Sequence, residues 1–293
     1  MNILSDFNYY APESKAEAFE LIAKLGDKCK ILAGGTDLLI MMKNGLIEPE
    51  NIVDIGGIKE FAGIEMKDGK GGEIGACTKI ADIENSAAVA GKYGALSHAA
   101  GEIGSPQVRE MATLGGNSCH ASPAAETPAS LCAYGAKVVI SSKDGDREME
   151  LKDFIQGNRQ NDLKPGEVLT KFIIPEPKKK SACKYGHIGL RKAMEIDAVN
   201  MAVNIAVSDD GSVAEADLVM GSVAPRPLVL PDIKDILVGK KVTDDLAEKV
   251  GDAAQAAASP ISDVRASAEY RKDVIRALAI RLVKEAYDAA KAA

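Results

Sequence analysis

A strand-like run, Lys30-Ile31-Leu32-Ala33, breaks at Gly34-Gly35-Thr36-Asp37, and residues 38–43 then read as a helical turn ended by Asn44-Gly45. Such residues at a strand-to-helix turn suit an anion. Glycines permit positive φ and let backbone N–H groups face a ligand, Thr36 adds a hydroxyl donor, and the helix start contributes partial positive charge. A phosphate fits this chemistry, and a tight turn that merely needs glycine fits the same residues. The stretch lacks both the G-x-x-x-x-G-K-S/T of a P-loop and the G-x-G-x-x-G of a Rossmann turn. Gly69-Lys70-Gly71-Gly72-Glu73-Ile74-Gly75 imitates the latter but sits in a hairpin rather than before a helix. A second double glycine stands in Thr113-Leu114-Gly115-Gly116-Asn117, flanked by a hydroxyl and an amide. Two such loops suit the two halves of a pyrophosphate or a dinucleotide, where one alone is a turn. Glu126, between Pro123 and Pro128, is either a ribose ligand on a rigid loop or a solvated carboxylate.

Composition narrows the classes of function. The chain has 293 residues and a formal net charge of −7. Its basic residues form no stripe, and the one basic run is Lys178-Lys179-Lys180, so nucleic-acid or anionic-membrane binding is disfavoured. A length near 300 favours more than one domain. The counts of 27 Gly, 5 Phe, 7 Tyr and no Trp indicate close backbone approach rather than bulky packing. Five cysteines (Cys29, Cys77, Cys119, Cys132, Cys183) are odd in number and contain no C-x-x-C pair, which predicts reduced thiols rather than a disulfide or metal nest. The first ten residues show no secretory signal, and no apolar stretch reaches the roughly 18 residues of a membrane span. A cytoplasmic protein is expected.

Periodicity indicates the elements that position these loops. Ser14 starts an amphipathic helix with Ala18, Phe19, Ile22 and Leu25 on one face, stopped by Gly26. Residues 51–55 read as a strand, and residues 60–65 pair with 73–76 as a hairpin. Thr78 is expected to cap a short helix, and one longer helix is expected over 92–103. The segment 104–128 reads as loop, because its Pro and Gly content forbids a long element. A small-residue helix over 129–134 leads to strands at 137–141, 147–151 and 167–174, the last stopped by Pro175-Glu176-Pro177. That proline pair and the three lysines mark a domain boundary. Beyond it, residues 183–190, 200–208 and 213–219 alternate with period two and predict an antiparallel sheet, followed by helices over 246–258 and 266–290. The fold class is α+β.

The residues Ile31-Leu32-Ala33-Gly34-Gly35-Thr36-Asp37-Leu38-Leu39, Gly104-Ser105-Pro106-Gln107-Val108-Arg109, Thr113 to Asn117 and Ser122 to Pro128 resemble the FAD-binding subunit of the molybdenum hydroxylases, the xanthine dehydrogenase and carbon monoxide dehydrogenase family. In the C-terminal half, Val223-Ala224-Pro225-Arg226-Pro227 and Ser262-Asp263-Val264-Arg265-Ala266-Ser267-Ala268-Glu269-Tyr270-Arg271 carry the same resemblance, in order along essentially the whole chain. It implies a p-cresol methylhydroxylase-type FAD-binding domain over residues 1–177, with subdomains 1–56 and 57–177. A C-terminal α+β domain, an antiparallel sheet with helices, is implied over 178–293. By the same resemblance, Lys30 to Asp37 and Thr113 to Asn117 bind the FAD pyrophosphate and ribityl chain. Glu126 falls where relatives usually carry an Asp at the adenosine ribose, one methylene shorter. Val168 and Leu169 are expected against one face of the isoalloxazine and Ile103 against the other, forming an apolar slot. His187 aligns where many relatives carry a Lys near the ring, while His98 and His120 read as structural.

The implied subunit performs no substrate hydroxylation and needs no catalytic acid or base of its own. That chemistry belongs to a molybdopterin large subunit, while a small subunit with two [2Fe-2S] clusters passes electrons to FAD in this chain. Reduced flavin then passes a hydride from N5 to NAD+, or single electrons to another acceptor; the flavin does the hard chemistry. A dimerised hetero-oligomer is expected. Arg191-Lys192-Ala193-Met194-Glu195-Ile196 resembles the xanthine dehydrogenase branch, which favours a purine substrate for the complex. The alternatives are a flavoprotein subunit for carbon monoxide or an aromatic or N-heterocyclic compound, a self-contained flavin oxidoreductase, and a flavin-free assembly protein. A self-contained enzyme needs its own proton-transfer residue or a covalent flavin His, and neither stands out.

Overall fold

The computed structural model describes residues 4–293. Strand β1 (Asn8–Tyr10) precedes helix α1 (Lys15–Leu25), which starts where the Ser14 hydroxyl accepts the Glu17 N–H at 3.2 Å and turns Ala18, Phe19 and Ile22 inward. Strand β2 (Cys29–Leu32), the short helix α2 (Leu38–Lys43) and β3 (Asn51–Asp54) complete a sheet ordered β1-β3-β2. Both pairings are parallel, so α1 and α2 lie in crossover connections, and α1 covers the sheet. Phe19, Ile22, Val53, Ile58 and Phe61 centre its core.

A second unit begins with the hairpin β4 (Ile64–Lys67) and β5 (Gly71–Gly75), followed by the helices α3 (Ile80–Glu84), α4 (Ala87–Lys92), α5 (Gly94–Glu102), α6 (Pro106–Arg109), α7 (Leu114–His120) and α8 (Thr127–Ala133). Strands β6 (Lys137–Ser142) and β7 (Gly145–Glu150), the turn-length helix α9 (Leu151–Phe154), the ribbon β8 (Ile155–Gly157) with β9 (Gln160–Asn161), and β10 (Val168–Ile174) complete it. The antiparallel order is β4-β5-β10-β6-β7.

The helix expected over 92–103 is α5 (Gly94–Glu102), parted from α4 because Tyr93 leaves helical geometry (φ −130, ψ 52) to bury its ring and donate its hydroxyl to the Ile174 and Pro175 carbonyls, 3.1 Å away in each case. Two local expectations are corrected here. Thr78 caps no helix: its hydroxyl donates to the Gly63 carbonyl at 3.0 Å, and the N-cap of α3 is the next residue, Lys79. The stretch 104–128 is not a loop. Ser105 and Thr113 cap α6 and α7, and Pro106 and Pro128 occupy first-turn positions, where a missing N–H costs nothing.

Past residues 175–180 the chain forms β11 (Ser181–Ile188), β12 (Val199–Val207), β13 (Val213–Gly221) and β14 (Leu228–Val229), antiparallel in chain order. Helices α10 (Ile233–Leu237), α11 (Asp244–Ala257) and α12 (Ala268–Ala292) follow. Met201, Val203 and Ile205 of β12 share one core with Ile275, Leu278, Leu282 and Val283 of α12. The opposite face of the sheet meets α5 and α8 through Ala95, Ala99, Ala129, Ala133 and Ala202. With β12 buried on both faces, that alanine layer lets the two halves approach at backbone distance. Among the described residues, no helix is long and apolar enough to cross a membrane.

Candidate functional site

The two double-glycine turns face one cavity of about 980 Å³, lined by residues from both N-terminal sheets and from the C-terminal half. It lies on a seam: Val168 packs in the core of the first sheet, and its neighbour Leu169 in the core of the second. A register shift between Leu169 and Lys171 in the β10–β6 pairing marks a bulge at this point.

From the first turn, Ile31, Ala33 and Gly34 through Asp37 line the cavity; from the second, Thr113 and Gly115 through Asn117. Glu126, Ile103, Val168 and Leu169 line it as well. Lys30, Leu32, Leu114 and His187 do not. Lys30 points to solvent, Leu32 packs beside Gly35, and Leu114 is fully buried in the second core.

The four glycines divide by role. A Cβ on Gly34 would stand 2.0 Å from the Met111 carbonyl oxygen, and one on Gly115 2.8 Å from the Ala76 carbonyl oxygen. These two serve the packing of chain on chain. Gly35 adopts the left-handed region (φ +73) that turns the strand toward α2. The N–H groups of Gly35, Thr36, Asp37 and Leu38 have no acceptor among the described residues. That row of free donors beside the Thr36 hydroxyl is what a pyrophosphate requires, so the residues present fit FAD. Beside Gly116 the nearest atom to a Cβ would be Thr113 Oγ1 at 3.0 Å, which accepts the Gly116 N–H at 3.1 Å.

Asn117 is held in place because its Oδ1 accepts the Thr127 hydroxyl at 2.6 Å. Above the turns, His120 Nε2 lies 3.6 Å from Asp37 Oδ1, and both residues line the cavity. His120 therefore has a place at the site that its isolation in the sequence hides.

Glu126 is 8% exposed, and burial, with the negative charge of Asp197, pushes its carboxyl up to about 8. At neutral pH it is mainly protonated, so it can donate one hydrogen bond as well as accept. The folded chain thus keeps a proton that the unfolded chain releases. The resulting stabilisation is full below the ordinary glutamate range and is lost as pH rises through about 8. Glu126→Gln is accordingly expected to flatten the fall in thermal midpoint of the flavin-stripped chain between about pH 5 and about pH 9. Parallel wild-type and variant curves would mean that Glu126 is ionised in the folded state.

The C-terminal half supplies a rim of residues in, or next to, motifs given no site role from sequence. Ser222, in the left-handed region (φ +62), donates its N–H to the Pro123 carbonyl at 2.7 Å and so ties β13 to the Glu126 loop. Arg271 of α12 is 2% exposed. It donates to Asp263 Oδ1 at 2.8 Å, to the Ser222 carbonyl at 3.3 Å and to the Ala198 carbonyl, while its Nε has no partner among the described residues. Asp263 in turn accepts the Arg265 N–H at 2.9 Å. Ser222, Asp263, Arg265 and Arg271 all line the cavity. Cys77 and Cys119 line it too, and burial pushes both thiols up to about 12, which keeps them protonated. Among the described residues, no three His, Cys, Asp or Glu side chains gather as a metal site.

Comparison with known proteins agrees along the whole chain. Residues 5–177 match the family model described as the FAD binding domain in molybdopterin dehydrogenase, and residues 185–286 match the CO dehydrogenase flavoprotein C-terminal domain. The chain is 31% identical over 289 residues to the carbon monoxide dehydrogenase medium chain of Afipia carboxidovorans, covering 99% of each. It is 28% identical over 284 residues to the xanthine dehydrogenase FAD-binding subunit of Escherichia coli O157:H7, covering 97% of each. A solved structure of carbon monoxide dehydrogenase from Hydrogenophaga pseudoflava, lacking the Mo-pyranopterin moiety of its cofactor, superposes with a TM-score of 0.93 at 31% identity over 98% of this chain and 99% of that one. With the double-glycine turns, the apolar slot and the C-terminal rim meeting at one cavity in this fold, the chain belongs to the FAD-binding subunits of the molybdenum hydroxylases and is an oxidoreductase flavoprotein subunit.

Proposed function

We propose that this subunit takes electrons from a partner carrying [2Fe-2S] clusters and passes them through FAD to NAD+, within a cytoplasmic, dimerised hetero-oligomer whose molybdopterin subunit oxidises a purine. The observation that carries the reading is the convergence of both double-glycine turns with the Val168 and Leu169 slot at one cavity. FAD, when bound, supplies both one-electron and hydride chemistry. The chain's own residues bind and shield it. The free N–H groups of Gly35 to Leu38 and the Thr36 hydroxyl receive the pyrophosphate, with Thr113 to Asn117 beside the ribityl chain. Protonated Glu126 both donates to and accepts from ribose hydroxyls. Ile103, Val168 and Leu169 exclude water around the flat ring. Residues 1–177 form the flavin-holding unit, and 178–293 close it from one side.

One feature supports placing the iron in a partner: the relatives are described as medium chains, a term for one component among several. The purine reading rests on the resemblance of Arg191 to Ile196 to the xanthine dehydrogenase branch. Chelating iron is expected to leave NADH-to-dye activity of the flavin-loaded subunit intact, because its cofactor is organic; loss of that activity would overturn the division of labour. Purification from the native source is expected to bring down one chain with two [2Fe-2S] clusters and one with molybdenum, in a complex that oxidises a purine. A complex without molybdenum, or one inert towards purines, would contradict the corresponding part of the proposal.

A further inference from the structure

We infer that His187 is a positioning residue: its imidazolium pins the C-terminal half of the chain to the N-terminal half at the cavity wall, through Asp197 on one side and Glu102 on the other. His187 is the penultimate residue of β11, with Nδ1 2.8 Å from Asp197 Oδ1 and Nε2 3.2 Å from Glu102 Oε2. A neutral imidazole has a single N–H and can satisfy only one of these carboxylates; pairing with both requires a proton on each nitrogen. Glu102 ends α5 and is followed by Ile103, while Asp197 follows Ile196, and both isoleucines line the cavity. The pin therefore joins the two halves one residue behind two wall residues. Among the described residues, no Lys or Arg pairs with Glu102, and none with Asp197, so the imidazolium is the cation they share.

The surroundings preserve that state. From its own strand, the Tyr185 ring stacks on His187 at 6.2 Å and 16°, and its hydroxyl donates to Asp197 Oδ2 at 3.4 Å. From α5, His98 Nε2 lies 3.5 Å from Glu102 Oε1 and its ring meets Tyr185 edge-on. From β12, Asn200 Nδ2 donates to Asp197 Oδ2 at 3.4 Å. Glu126 on its loop and Glu195 beside Ile196 add acidic groups to the neighbourhood. The hydrogen bond to Asp197 raises the imidazole above its ordinary range; burial opposes this, and the charges of Asp197, Glu102 and Glu195 reinforce it. A raised value means that the stabilisation is full below the ordinary histidine range and is lost as pH rises through the raised one.

The test is the thermal midpoint of the flavin-stripped full chain from about pH 6 to about pH 9 in wild type, His187→Gln and His187→Lys. At the acid end His187→Gln is expected to melt at least about 2–4 °C below wild type, the shift of a 1 kcal/mol loss in a chain of this order. The gap should close toward alkaline pH as wild-type His187 loses its proton. His187→Lys, which keeps the charge, should melt above His187→Gln at both ends. Glu126 releases its own proton in the same interval and shares the Asp197 charge with His187, so the three curves are taken in the Glu126→Gln background, where that titration is absent. Parallel wild-type and His187→Gln curves would overturn the inference. Should His187→Gln fail to fold, Glu102→Gln tests the same point by proton NMR. The His187 ring should then titrate at lower pH than in wild type, and an unchanged titration would overturn it. No flavin enters either comparison, so the result is separate from whether the cavity holds FAD.

Discussion

Gly34→Ala is expected to destabilise the chain more than Gly35→Ala and to remove flavin retention with it. The added methyl would sit 2.0 Å from the Met111 carbonyl oxygen, 2.7 Å from its carbon and 2.9 Å from Ala112 Cα. All three are backbone atoms, so relief requires the first turn to part from the chain leading into α7, which opens the seam on which the cavity lies. A cost of about 3 kcal/mol or more is expected, at or above the upper end of overpacking substitutions. Gly35 presents the opposite case. Its strain is conformational, since φ is +73, and its nearest neighbours are the flexible ends of Leu32 and Leu39 at 3.0 and 3.2 Å. Gly35→Ala should therefore cost about 1–2 kcal/mol, the penalty of the left-handed conformation alone. Gly57→Ala, with no atom within 4 Å of the new methyl, is the control and should be near neutral. Urea unfolding with measurement of bound flavin per chain checks the order; equal losses at Gly34 and Gly35 would refute it.

Arg271→Met should be the second large effect. The substitution removes a guanidinium that serves Asp263 and the carbonyls of Ala198 and Ser222 from a nearly water-free position. Breaking such a pair from one side costs about 3–5 kcal/mol, because the partner charge remains and its donor is gone. A pH signature accompanies this. Burial alone would raise the Asp263 carboxyl, but the Arg265 N–H and the Arg271 guanidinium hold it below the ordinary aspartate range. A lowered carboxylate stabilises the fold above its unfolded value and loses that contribution as pH falls through the folded one. In Arg271→Met the acid limb of unfolding should move to higher pH, and adding Asp263→Asn should recover part of the loss. A double-mutant cycle measures the coupling; strict additivity would show that the two side chains act independently.

The sequence reveals the long periodic elements and the turns, and it obscures what depends on partners distant along the chain. Ser14, with Phe19 and Ile22 at helical spacing, marks α1 unambiguously, and the period-two runs mark β12 and β13. Strand β1 escapes because three residues carry no period, and only pairing with Asn51 to Val53 makes them a strand. The helices α6 and α7 escape for another reason. Their glycines and prolines read as breakers, while the capping hydroxyls of Ser105 and Thr113 carried the information. At the site, both double-glycine turns are legible as motifs, but the division of labour within each is not: Gly34 and Gly115 are glycines because of the backbone they touch. The Ser222, Asp263 and Arg271 rim works through buried carbonyls and one ion pair, which leave no spacing to read. Likewise His187 shows its role only once Glu102 arrives from α5. The abundance of small residues finds a second cause in the alanine layer between α5, α8 and β12. Nothing in the structure explains the absence of Trp.

The most direct test of the central claim is a flavin titration of the stripped, folded chain, followed by flavin fluorescence, with FAD compared against riboflavin. FAD is expected to saturate at one equivalent per chain and riboflavin to bind far more weakly, because the free N–H groups of Gly35 to Leu38 have no pyrophosphate to receive from it. A folded chain that stays colourless with excess FAD, or that binds riboflavin as tightly as FAD, would contradict it.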